Sequence, residues 1–158
     1  MVFNLEREAE ARVAEISVRE GVVESVEVFF DDLDAFGMVY HGRFAALLEH
    51  GITRYTSRIG LTLGHEDMNV VVRELAITFE QPLASIGSVD LFLWIESLGK
   101  TSARYGFRFQ TGQTVHAHGH RVIIKIDPGT KRPAAWTEAT RQLLVDQLLV
   151  SQNGSPAV

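Results

Sequence analysis

A chain of 158 residues is long enough for one domain with a sizeable core and too short for two of ordinary size. Apolar residues make up 46% and charged residues 22%, which suits a globular protein, and a formal charge of −5 leaves no broad basic field for a nucleic-acid backbone. The absence of cysteine excludes disulfides, thiolate nucleophiles and the usual structural zinc sites.

The first twenty residues are charged and lack the apolar run of a signal peptide or membrane span, so the expected location is cytoplasmic, with no membrane span. Within 4–17, Leu5, Ala9, Val13 and Ile16 fall at helical spacing, although Val13 to Val18 equally suits the start of a strand. From Val22 the pattern is β-type, and Val22, Val23, Val26, Val28, Phe29 and Phe30 predict a first strand over 22–30. It runs into an acidic loop, Asp31-Asp32-Leu33-Asp34.

The clearest helical period follows. Phe44, Leu47, Leu48, Ile52, Tyr55 and Ile59 recur at steps of three, four and seven, predicting a helix over 42–59 that Gly60 ends. Ala45, Ala46 and Gly51 keep its other faces slim, so neighbouring elements can approach closely.

Downstream the period becomes two. Leu75, Ile77 and Phe79 alternate with Glu74, Thr78 and Glu80; Val89, Leu91, Leu93 and Ile95 form a second run. Ala103, Tyr105, Phe107 and Phe109 form a third, and a last strand is predicted over 114–126. Pro82, Gly87, Gly99, Gly112 and Asp127-Pro128-Gly129 supply turns consistent with antiparallel neighbours. Leu143, Leu144, Leu148 and Leu149 predict a closing helix within 137–150, and 151–158 reads as a frayed tail. Strand, long helix, then four strands predicts an α+β layer in which one antiparallel sheet buries one helix.

No nucleophile elbow, Walker loop, dinucleotide turn or paired-histidine zinc helix occurs. What remains is the segment from Phe30 to Phe44, where Asp34 precedes the start of the helix. A carboxylate beside unpaired N–H groups at a helix start can act on a carbonyl, directly or through water, while those N–H groups hold the developing oxyanion. A thioester suits such a site, because its carbonyl is weakly stabilised by resonance and thiolate leaves readily. Taken alone, Asp34 equally reads as an Asx turn ahead of Gly37.

Asp34 through His41, D-A-F-G-M-V-Y-H, followed by an apolar helix carrying Glu49, resembles the 4-hydroxybenzoyl-CoA thioesterase family and its Tol-Pal-associated acyl-CoA thioesterase relatives. Leu75 through Leu83, with its proline exit, is similar to that family's next strand, and the likeness spans 22–140. The resemblance implies a hotdog fold, a curved antiparallel sheet wrapped around a long central helix, making up a single domain of residues 1–158. It implies Asp34 as nucleophile or general base, and the backbone N–H of His41 as oxyanion donor with its side chain as a further candidate. Gly37, Val39, Tyr40 and Phe30 would line the substrate. Many relatives carry Tyr where this chain has Phe30, and an acidic residue where it has Ser88; the first removes a phenol and the second affects a loop.

Glu49 is a secondary catalytic candidate, since other hotdog lineages use a helix carboxylate; it reads otherwise as a structural carboxylate pairing with an arginine such as Arg54 or one from a neighbouring chain. His116, His118 and His120 share a strand face, but their spacing of about 6.5–7 Å is too wide for one ion, so no metal is expected. Arg121 and Lys125, with Arg104 and Arg108 beside them, are candidates for the phosphates of coenzyme A or a carrier-protein pantetheine arm.

The function expected is therefore hydrolysis of an acyl-CoA or acyl carrier protein thioester. It needs no cofactor of its own, coenzyme A or phosphopantetheine entering only with the substrate. A homodimer, or a homotetramer built from dimers, should cover the sheet edge. A hotdog hydratase or dehydratase, or a non-catalytic acyl-binding subunit, is the alternative.

Overall fold

The computed structural model describes residues 21–148. The helical pattern read within 4–17 and the tail at 151–158 lie outside them.

Five strands form one antiparallel sheet: β1 (Val22–Val28), β2 (Val70–Phe79), β3 (Gly87–Leu98), β4 (Ser102–Thr111) and β5 (Thr114–Lys125). Their spatial order is β1-β3-β4-β5-β2, so β1 and β2 form the two edges. The 16-residue helix α1 (Arg43–Arg58) precedes β2, and α2 (Glu138–Leu148) closes the described chain. The α+β class and the order of elements agree with the sequence pattern.

Alternation decides which sheet face is covered. Val26 and Val28, Leu91, Leu93 and Ile95, and Ala103, Phe107 and Phe109 are all buried and share a core with Phe44, Leu47, Leu48 and Tyr55 of α1. Gly51 sets the closeness of this contact. A Cβ there would stand 2.2 Å from Leu91 Cδ2 and 3.0 Å from Val26 Cγ2, so the helix backbone rests almost directly on β1 and β3.

Polar locks fix both ends of α1. Glu24, buried on β1, pairs with Arg58 in the last turn, and Arg43 in the first turn bonds Asp32 through Nε at 2.8 Å. Each carries a charge out of water only where an opposite charge meets it.

The β2 edge is different: its residues are exposed or half-buried throughout, including Val71, Val72, Leu75 and Phe79. No helix among the described residues is long and apolar enough to cross a membrane.

Candidate active site

The acidic loop folds around two carboxylates with different tasks. Asp32 is buried; Oδ2 accepts from Phe29 N at 2.8 Å and Oδ1 from Arg43 Nε, which ties the loop to the first turn of α1. Asp34 is half-buried, and its Oδ1 accepts from Phe36 N at 2.8 Å and Met38 N at 3.2 Å. The backbone closes the same turn, with Asp34 N donating to Met38 O at 2.7 Å and Gly37 N to Asp34 O at 3.0 Å. Gly37 takes φ +74°, a conformation that a side chain would strain. The Asx turn is thus present, but it occupies one carboxylate oxygen. Oδ2 carries no hydrogen bond among the described residues.

A few residues on, α1 starts without a side-chain cap. Gly42 is the N-cap and makes no such bond, and neither His41 N nor Gly42 N donates to an acceptor among the described residues. Two N–H groups at the positive end of the helix dipole are left available to an incoming anion or polarised carbonyl.

Asp34 and His41 line one cleft of about 320 Å³, together with Met38, Val39, Phe44, Phe79, the strand exit Glu80-Gln81-Pro82-Leu83, and His116. Val39 N donates to Leu83 O at 2.8 Å, joining the Asp34 loop to the opposite wall. The floor is aromatic: Phe44 packs edge-on against Phe79 at 5.4 Å and Phe109 at 5.3 Å between centroids, and His41 meets Phe79 at 6.3 Å. The cleft therefore offers an apolar bed with a carboxylate and unpaired N–H groups at its rim.

Residues 28–144 match the sequence profile of a superfamily described as thioesterase-like. The chain belongs to the thioesterase-like superfamily. A thioesterase from Thermus thermophilus, solved complexed with coenzyme A and Zn, is 27% identical; the match covers 78% of this chain and 90% of that one, with a TM-score of 0.67. The DHNA-CoA thioesterase of Staphylococcus aureus is 19% identical over 79% of this chain and 91% of that one, with a TM-score of 0.69. A predicted thioesterase from Bacillus stearothermophilus, 17% identical over 80% and 95%, reaches 0.72. No curated protein sequence matches the chain. This protein is accordingly a thioesterase, a hydrolase of thioester bonds.

The remaining candidate residues of the thioesterase fall in three places. Phe30 is 79% exposed, and Tyr40 is also exposed, its ring 4.3 Å from that of His41; neither lines the cleft. Glu49 and Arg121 meet elsewhere: Arg121 Nη1 lies 2.8 Å from Glu49 Oε1, and both line a second, smaller hollow of about 90 Å³ between α1, β5 and α2. Glu49 thus has an arginine partner, from β5 rather than Arg54, and within this chain it does not share the cleft of Asp34.

Lys125 corrects an expectation. It is buried and pairs with Asp67, and a lysine committed in this way is not presented to a phosphate. Arg121 is likewise buried, and Arg108 is buried with its guanidinium 4.2 Å above the Phe92 ring. Arg104 bonds Glu96 through Nε at 2.8 Å. The phosphate contact expected from this group is therefore not what these side chains present.

The three histidines each have their own partners. His118 Nε2 lies 2.8 Å from Glu80 Oε1, His120 pairs with Glu74, and His116 bonds backbone carbonyls. Among the described residues no group of three or more His, Asp or Glu could hold a metal ion. His116 and the 79–83 wall had not been assigned to the site by sequence pattern; they reach it because β2 pairs with β5, placing Thr78 opposite His118 and Phe79 opposite Ala117.

Proposed function

We propose that this thioesterase hydrolyses acyl-CoA or acyl carrier-protein thioesters at the Asp34 cleft. The observation that carries the reading is the pairing, in one cleft, of a carboxylate fixed through Oδ1 alone with His41 at the helix start, whose N–H, like that of Gly42 beside it, has no acceptor among the described residues. The acyl group lies on the Phe44 and Phe79 bed, and the thioester oxygen turns toward the His41 N–H. Asp34 Oδ2 then attacks the carbonyl carbon or takes a proton from a water that does so. The C–S bond breaks as the tetrahedral intermediate collapses and the sulfur leaves as thiolate. On the water route the free acid forms and the proton taken by Asp34 passes to the thiolate. On the direct route an Asp34 acyl anhydride is left, which water hydrolyses to the free acid and the restored carboxylate, supplying the thiolate's proton.

Support for a coenzyme A substrate comes from the Thermus thermophilus thioesterase, which was solved with that molecule bound. The Asp34 to His41 motif favours the 4-hydroxybenzoyl-CoA branch of the superfamily and a hotdog arrangement, with the sheet curved around α1. A second copy covers the exposed β2 edge, giving a dimer that pairs into a tetramer. The polar partners of His116 among the described residues are two carbonyls and the Thr111 hydroxyl, none of them a carboxylate, which speaks against a hydratase built on an acid-paired histidine there.

The test is thiol release from a panel of aliphatic and aromatic acyl-CoAs and an acyl carrier protein, with wild type, Asp34→Asn and Asp34→Ala. Asparagine keeps an oxygen for Phe36 N and Met38 N while removing the reactive carboxylate. Turnover should fall about a hundredfold or more in both variants, with cooperative unfolding kept in Asp34→Asn. A wild type inactive on the whole panel, or an unimpaired Asp34→Asn, defeats the reading.

A further inference from the structure

His116 lines the Asp34 cleft and is only 6% exposed, yet the chemistry above gives it no part. The way the chain buries it is unusual for a strand. Val115, His116 and Ala117 are all buried in succession, where alternation would turn the middle residue away. The register explains this: Phe109 pairs with Ala117 and Gln110 with Val115, so His116 is the extra residue of a β-bulge. A bulge takes one residue out of the ladder and re-aims its side chain, with a local bend of the strand. Here it turns an imidazole to the wall facing Asp34.

The ring is held on both sides. Nδ1 lies 3.2 Å from Gln81 O and 3.1 Å from Pro82 O, and Nε2 lies 2.9 Å from Thr111 Oγ1. Carbonyl oxygens only accept, so Nδ1 carries the proton and donates, while the Thr111 hydroxyl can complement Nε2 either way. His116 O in turn accepts from Glu80 N at 2.9 Å and Gln81 N at 3.4 Å. One residue thus holds the 80–82 segment through its side chain and its backbone. Pro82 makes this necessary, since proline has no N–H with which to secure the exit of β2.

The segment continues to the reacting loop. Leu83 O receives Val39 N at 2.8 Å, Leu33 bridges to Val39, and Asp34 N bonds Met38 O at 2.7 Å. We propose that His116 is a positioning residue: its Nδ1–H clamps the Gln81–Pro82 carbonyls, and through Leu83 O this sets the Asp34 loop against the start of α1. The proposal rests on Asp34 being the reacting group. Misplacement of a reacting group by about 1 Å can cost on the order of a hundredfold in rate, so a clamp of this kind acts on kcat more than on KM.

The experiment compares His116→Leu, which fills the space without a donor, with His116→Asn, whose amide offers an N–H near the place of Nδ1. Thr111→Val removes the Nε2 partner at an exposed strand end and serves where the leucine variant does not fold. Each is assayed for kcat and KM with the best acyl-CoA of the panel, for thermal unfolding, and for amide hydrogen exchange at Val39. His116→Leu should lower kcat about tenfold or more with KM nearly unchanged and speed exchange at Val39; Asn should recover most of both, and Thr111→Val should show a smaller effect of the same kind. Unchanged Val39 exchange and kcat in His116→Leu, or in Thr111→Val where the leucine variant does not fold, overturns the proposal, as does an Asn variant no better than Leu. If wild type has no thioesterase activity, the Asp34 reading fails separately, and Val39 exchange alone then decides whether the clamp exists.

Discussion

At Asp34 one side chain divides its two oxygens between structure and chemistry. Oδ1 closes the turn through Phe36 N and Met38 N, which orients Oδ2 without engaging it. His41 divides in a similar way between its backbone N–H, which has no acceptor among the described residues, and its ring, which packs against Tyr40 and Phe79. If the backbone supplies the oxyanion contact, His41→Ala leaves the donor in place and costs only the aromatic packing. The expected result is a fall in kcat below about tenfold, against the hundredfold or more that loss of an oxyanion donor brings. Steady-state thiol release from His41→Ala distinguishes the two, and a loss of a hundredfold would assign the ring to the reaction. The Asp34 loop was legible in the sequence because its parts are contiguous from Phe30 to Phe44. The separate task of Asp32, which ties Phe29 N and Arg43, was not, since adjacent aspartates look alike until a turn assigns their directions.

Among the elements, the buried Asp67–Lys125 pair joins the turn before β2 to the end of β5, and Thr137, ahead of α2, adds Oγ1 to Asp67 Oδ2 at 2.5 Å. Burial pushes the Asp67 carboxyl up, but hydrogen bonds from Lys125, Thr137 and Thr140 outweigh it and bring the carboxyl down to about 2. A folded value below the unfolded one, about 3.9, stabilises the protein fully above that value, and the contribution is lost as pH falls from about 4 to 2. Its size is roughly 2 kcal/mol. Asp67→Asn removes that acid limb and leaves Lys125 buried with Glu66, at 3.6 Å, as its one remaining acidic neighbour among the described residues, so about 3 kcal/mol of stability should be lost at neutral pH. Urea unfolding of both proteins from pH 2 to 7 measures both effects; equal slopes below pH 4 would show that the pair is not what acid breaks. Element types followed closely from periodicity, as with α1, predicted over 42–59 and found at Arg43–Arg58. β2 was seen only from Leu75 onward as an alternating run, because its register shift between Val72 and Glu74 breaks the alternation in Val70-Val71-Val72-Arg73. Lys125 was misread for a related reason: strand position shows which face a cation takes, but not that Asp67 waits beneath it.

Over the whole molecule, the strand order β1-β3-β4-β5-β2 could not be read from spacing, since it sends β2 past three later strands to the far edge. That order does two things at once. It sets the exit of β2 against His116 and so builds one wall of the cleft, and it leaves the outer ladder of β2 without a partner among the described residues, with Val71, Val72, Leu75 and Phe79 exposed along it. An edge strand that leaves apolar side chains exposed invites pairing with another chain, and the same strand ends in Phe79, within the cleft lining. Assembly and catalysis are therefore expected to fail together. The single chain has a mass of 17.6 kDa, so a dimer or tetramer is readily resolved by light scattering after size exclusion. Wild type should elute as one of these, and Leu75→Lys, which places a charge on the edge without touching the cleft, should shift the mass toward the monomer and lower kcat/KM in parallel. A wild type that is monomeric at micromolar concentration and fully active would show that β2 is not an interface and that the cleft of one subunit suffices. A Leu75→Lys protein that keeps its mass would place the contact on another surface.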